Sequence, residues 1–148
     1  MFLFVDTHLM ATAGSGGDKV RGAETLSMLQ HAGAYAKRVG VESILYVGDF
    51  NSYRNEYRVN DLTGNDMRAA GIPDGIDVAQ KRVNAQYDSI NELFRMARKG
   101  DGSFDHIYAT PGIGVRSWAE LLHIRHGRFV GTIPSDHNPV VSNVEIPY

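Results

Sequence analysis

Near its C-terminus the sequence sets a carboxylate beside an imidazole. They are Asp136 and His137, within Thr132-Ile133-Pro134-Ser135-Asp136-His137-Asn138-Pro139-Val140. A carboxylate is a ligand for hard cations, and a histidine moves a proton near neutral pH. Pro134 and Pro139 bracket the pair; proline fixes its own φ and biases its predecessor toward extended geometry. Taken alone, an Asp-His pair is more often a turn cap followed by a strand residue than a site. Three further polar pairs change that balance: Thr7-His8, Asp49-Asn51 and Asp105-His106. Each sits beside a short apolar run, so four strand ends carry groups able to bind a cation, hold an anion or move a proton. A helix cap uses one carboxylate and does not account for a set spread along the whole chain.

The elements that must position these groups are legible in outline. Residues 2–5 form a short apolar run that predicts a strand covered on both faces. The glycine-rich stretch 13–18 lacks the Gly-Lys-Ser/Thr of a phosphate loop and reads as a flexible connection. Over 20–39, Leu29, Ala32, Ala36 and Val39 recur at helical spacing, with Lys37 and Arg38 before Gly40 as a stop signal. Arg21 and Glu24 read as a local pair on a solvated face, the alternative being that they brace the loop after His8. A second buried strand is predicted over 42–47. Strand, helix, strand implies a parallel pair joined by a right-handed crossover. His8 and Asp49 then share one edge of a sheet, where open α/β sheets place ligands. In extended chain, Asp49 and Asn51 face the same way while Phe50 anchors in the core.

The middle of the chain is less regular. Short helices are predicted over 62–70 and 90–99. Tyr53, Arg54, Tyr57 and Arg58 interleave aromatic and basic side chains, a pattern of phosphate- or base-contacting surfaces that also suits a solvated loop. Residues 103–109 predict a third strand, 115–124 an extended segment, and 140–146 the last strand. His106 and His31 are expected to be structural, and His123 and His126 to lie on the surface.

Composition bounds the answer. The 148 residues fit one domain, and the net charge of −2 gives no basic field that would announce nucleic-acid binding. No apolar run is long enough to span a bilayer, and the N-terminus lacks the features of a signal peptide. The absence of cysteine excludes disulfides and thiolate chemistry.

Four stretches together resemble the endonuclease/exonuclease/phosphatase superfamily, which has the fold of pancreatic deoxyribonuclease. They are Val5-Asp6-Thr7-His8-Leu9, Val47-Gly48-Asp49-Phe50-Asn51-Ser52, Phe104-Asp105-His106-Ile107 and Pro134-Ser135-Asp136-His137-Asn138-Pro139-Val140. The resemblance implies an α/β (α+β) chain that forms part of a four-layer αββα sandwich, with one mixed sheet flanked by helices. It also implies Mg²⁺- or Mn²⁺-dependent hydrolysis of phosphate esters. Carried over residue by residue, Asp136 would be a metal ligand and His137 a phosphate contact and general base. Asp105 would fix the tautomer of His137, and Asp49 would position the attacking water or assist the leaving group. Asn51 would bind a phosphate oxygen or the water, and His8 would donate to a phosphate or leaving oxygen.

Members of that family are about twice this length, still within the range of one domain. The chain matches the later half, residues 1–148 corresponding to the C-terminal portion. The earlier half supplies an Asn and a metal-binding Glu that Glu24, Glu42 and Glu56 do not replace. The inner face of the sheet would then need the N-terminal half, or a second chain, to cover it. The expected activity is that of a phosphodiesterase, with DNA or RNA as the first substrate. A phosphatase or phospholipase-type hydrolase of the same fold is the alternative, as is a non-catalytic interaction module.

Overall fold

The computed structural model describes residues 1–53, 61–100 and 102–147. Three strands build the sheet that carries the polar pairs: β1 (Leu3–His8), β2 (Ile44–Asp49) and β4 (Asp105–Ala109), in the order β1-β2-β4. β1 and β2 run parallel, joined by the long helix α1 (Gly14–Val39), as the alternation of patterns predicts. β4 returns antiparallel to β2. A second mixed sheet has the order β3-β5-β8, from Lys81–Val83, Gly114–Glu120 and Val140–Glu145. β4 and β8 approach each other at the seam between the two sheets. Two short helices, α2 (Leu62–Ala69) and α3 (Gly75–Val78), and a hairpin of β6 (Ile124–Arg125) with β7 (Arg128–Phe129) complete the described elements.

The core lies between the first sheet and the helices. Ala32 and Ala36 of α1 and Met67 of α2 pack with Ile44, Tyr46, Phe50 and Tyr108. Small residues on α1 let the helix approach closely, and Val41 and Ile72 fill the ends of the layer. Gly40 closes α1 in the left-handed conformation, with φ 70°, as its place after Lys37 and Arg38 predicts.

Several expectations change. β1 is covered on one face only: Leu3 and Val5 pack on the core, whereas Phe2 and Phe4 are 46% and 57% exposed. An apolar run alone cannot distinguish one buried face from two. The glycine-rich stretch is not a free connection; residues 14–18 form the first turns of α1. Gly17 permits this, because a Cβ there would lie 1.7 Å from the Thr12 carbonyl oxygen. Arg21 is buried rather than solvated and donates to the carbonyls of Met10 and Thr12 at 3.0 and 2.8 Å. Glu24 accepts from the Met10 amide at 2.9 Å, so the two side chains brace the loop after His8. α2 forms where expected, but 90–99 is not helical: Glu92 and Leu93 have φ of 50° and 60°. Asn91 competes with helix there by accepting from the Leu93 amide through its own side chain. The interleaved residues Arg54, Tyr57 and Arg58, with Glu56, lie outside the described residues.

Candidate active site

Strand register brings the polar pairs together. His8 stands opposite Asp49 across the parallel pair, and Asp49 stands opposite Asp105 across the antiparallel one. Three neighbouring strands therefore end in a row of His8, Asp49 and Asp105. Gly48 makes the row possible: it has φ 131°, and a Cβ there would lie 1.9 Å from the Thr7 carbonyl oxygen. Only glycine tolerates that approach without moving β1 from β2.

His137 enters from the loop before β8. Its Nδ1 lies 2.8 Å from Asp105 Oδ2, and its Nε2 lies 3.9 Å from Asp49 Oδ2. The carboxylate at Nδ1 holds the neutral ring in the tautomer that carries its proton there, which leaves the Nε2 lone pair facing Asp49. Burial opposes protonation of His137. The Asp105 hydrogen bond and the charges of Asp105, Asp49 and Asp136 outweigh it and raise its pKa. Asp49 is raised by burial and by the charge of Asp105, against a hydrogen bond from the Asn51 amide and the two histidines.

His8 Nε2 lies 3.5 Å from Asp49 Oδ2, and its side chain is 71% exposed, so the site opens to solvent on that side. Phe50 is fully buried, as the alternation predicts. The chain is not extended through Asn51, however, which has φ 48°. Asn51 turns back: its amide donates to Asp49 Oδ1 at 2.8 Å and its side-chain Nδ2 to the Leu9 carbonyl at 3.0 Å. A primary amide has two donors, so among the described residues one hydrogen on Nδ2 is open to a ligand.

Asp49, Asp105 and His137 each offer a ligand atom, and these atoms lie within 4.8 Å of one another. Two carboxylates converging at half-buried positions repel each other, and a divalent cation offsets that repulsion. The donor set thus fits such an ion. Asp136 stands beside this group rather than in it; it is exposed, close enough to His137 to favour the imidazolium. Sequence adjacency links Asp136 to His137 and the family resemblance links Asp105 to it; the strand register adds the convergence of Asp105 with Asp49. His106 is structural, as expected: buried, with Nδ1 2.6 Å from Asp74 Oδ2 and Nε2 2.9 Å from the Ser52 carbonyl. His123 and His126 are exposed.

No family model matches the sequence, and no curated protein does. Solved structures do match. A mannosyl-6-phosphatase of Bacteroides thetaiotaomicron superposes with a TM-score of 0.75 at 19% identity, covering 98% of this chain and 51% of that one. An endonuclease/exonuclease/phosphatase family protein of the same species gives 0.70 at 16% identity, covering 97% and 48%. Sphingomyelinase C of Streptomyces griseocarneus gives 0.59 at 14% identity, covering 94% and 51%. The chain spans about half the length of the solved structures it matches. These likenesses show the fold: the chain folds as part of the endonuclease/exonuclease/phosphatase fold, in agreement with its motifs.

Proposed function

We propose that the chain is the C-terminal catalytic portion of a metal-dependent phosphoesterase. The observation that carries this reading is the Asp105–His137 pair, with Nε2 facing the carboxylate of Asp49. A histidine held by a carboxylate takes a proton from a nucleophile, and a second carboxylate nearby orients that nucleophile. Here His137 Nε2 takes the proton of a water held by Asp49. Asp105 keeps the ring in place and favours the imidazolium that results. His8 and the free hydrogen on Asn51 Nδ2 face the phosphate oxygens or the leaving oxygen, where donors stabilise developing charge.

A divalent cation, Mg²⁺ or Mn²⁺, would be held by Asp136, as the resemblance implies, with the carboxylates of Asp49 and Asp105 beside it. When bound, such an ion offsets the negative charge that spreads over the phosphoryl oxygens. The preferred substrate class is a phosphodiester, with DNA or RNA first, as the family resemblance implies. The similar solved structures, named as a sugar phosphatase and a sphingomyelinase, make a phosphomonoester and a lipid diester the informative comparisons.

The test is hydrolysis of bis(p-nitrophenyl) phosphate, p-nitrophenyl phosphate, single-stranded DNA, RNA and sphingomyelin. Each is assayed with Mg²⁺, with Mn²⁺ and with chelator. We expect metal-dependent turnover that His137→Ala and Asp49→Ala each lower by about 10²- to 10⁴-fold without unfolding the chain. Turnover near the wild-type rate in either variant refutes these roles.

A further inference from the structure

We propose that residues 88–93 form a clamp that sets the geometry of the Asp105–His137 pair, with Ser89 and Asn91 as its positioning residues. The proposal rests on the reading of His137 as the proton-moving group. Ser89 is fully buried, and its Oγ accepts from the backbone amides of Phe104 and Asp105 at 2.9 and 3.2 Å. Those bonds fix the start of β4, where the Asp105 carboxylate leaves the chain. The Ser89 carbonyl accepts from the Asn138 amide at 2.6 Å, on the far side of the pair.

Asn91 grips the other partner. It is 1% exposed, and its Nδ2 donates to the Ser135 carbonyl at 3.0 Å and to Asn138 Oδ1 at 2.9 Å. Its backbone amide and that of Glu92 both donate to the Asp136 carbonyl, at 2.7 and 3.1 Å. Ile90 bridges to His137 itself, and Asn138 Nδ2 donates to the Asp88 carbonyl at 2.8 Å. The clamp therefore holds residues before and after His137, together with the residue that His137 bonds.

These contacts are not by-products of a hydrophobic core. Leu93 and Phe94, at the end of the same segment, are 59% and 58% exposed. Glu92 and Leu93 both adopt left-handed backbone, a conformation that non-glycine residues keep only where the surroundings enforce it. The Asn91 side chain enforces it, since its Oδ1 accepts from the Leu93 amide at 2.7 Å while both Nδ2 hydrogens reach the His137 loop. Supporting hydrogen bonds of this kind orient the groups that contact a ligand, and their loss commonly costs about 10- to 100-fold in affinity or rate.

Asn91→Asp keeps the shape and the acceptor but turns both donors into an acceptor. Ser89→Ala removes the acceptor for the Asp105 amide, and Ser89→Thr retains it. The readout is the NMR signal of the His137 Nδ1 proton in the 148-residue chain, with the α1 amide signals as the check on folding. We expect Asn91→Asp to abolish that proton signal, or to speed its solvent exchange at least about tenfold, with α1 unchanged. Ser89→Ala weakens the signal and Ser89→Thr restores it. A wild-type His137 signal in folded Asn91→Asp and Ser89→Ala overturns the clamp. Should Asn91→Asp fail to fold, the contrast between Ser89→Ala and Ser89→Thr decides in the same way. Absence of phosphoester turnover in the wild type refutes the hydrolase reading alone, because the proton signal reports the clamp without turnover.

Discussion

His137 sits between two opposing influences, and their balance sets a pH dependence. Partial burial disfavours its charge, while the Asp105 hydrogen bond and the surrounding carboxylates favour it and prevail. A general base acts in its neutral form, so a raised pKa delays activity to higher pH. The acidic limb of kcat/KM should thus fall above the ordinary histidine value. Asp105→Asn removes the charge and replaces one of the two acceptor oxygens with an NH₂ donor, so Nδ1–H is no longer enforced. We expect that limb to move to lower pH and kcat to fall by about 10²-fold or more, since the wrong tautomer becomes accessible. A pH–rate profile of the two proteins measures both effects. An acidic limb at the same pH in both would show that another group controls it.

At the scale of elements, the site depends on joints rather than on regular structure. Gly48 lets the end of β2 close on Thr7, which keeps His8 level with Asp49. Gly48→Ala should destabilise the chain by about 1–3 kcal/mol, because it combines an overpacked contact with a strained φ. Urea unfolding measures that loss. The second joint is buried: His106 in β4 ties Asp74 to the Ser52 carbonyl just beyond Asn51. Burial lowers the pKa of His106, but Asp74 overrides it, and the net shift is upward. A group whose pKa is raised on folding stabilises most when protonated in both states. The contribution of His106 is therefore complete below its unfolded value of about 6.5 and fades as pH rises through the higher folded value. His106→Gln should cost about 3 kcal/mol at acidic pH and less at alkaline pH, as expected for breaking a buried pair. Equal losses in urea midpoint at about pH 5.5 and about pH 9, on either side of the ordinary histidine value, would exclude this linkage.

At the scale of the molecule, the first sheet has helices on one side and exposed aromatic side chains on the other. Phe2 and Phe4 lie on or beside β1, which is also an edge strand of its sheet. An exposed apolar face next to an unpaired edge favours association. The chain also spans about half of the structures it resembles. We expect the 148-residue chain to sediment as a dimer or larger species, and Phe4→Lys to shift it toward monomer. A stable monomer at high concentration would show that this face needs no partner. The donor set has a consequence for metal binding as well. Mg²⁺ sheds its waters reluctantly and relies on well-placed carboxylates. Among the described residues three donor atoms converge, two of them carboxylate oxygens, so calorimetric titration of the chain with Mn²⁺ should show weak binding. Tight binding by the chain alone would point to a further carboxylate.

The polar pairs, their order and the apolar runs beside them already point to the fold, through the family they resemble, and to the candidate site residues, because a strand end is a local property of sequence. His8, Asp49, Asp105 and His137 are all legible in that way, and so are α2 and the crossover from β1 to β2. What the sequence leaves open depends on contacts between distant segments. Register decides that Asp105 rather than Asp136 converges with Asp49 and His137, since a row across three strands has no linear spacing. Packing against Met10 and Thr12 makes the glycine-rich stretch helical and buries Arg21. Side-chain competition for backbone groups turns the predicted helix over 90–99 into the support of the His137 loop. Local chemistry nominates the candidate groups; the tertiary structure decides which of them meet, because hydrogen-bond partners far apart in sequence are chosen only when the sheet closes.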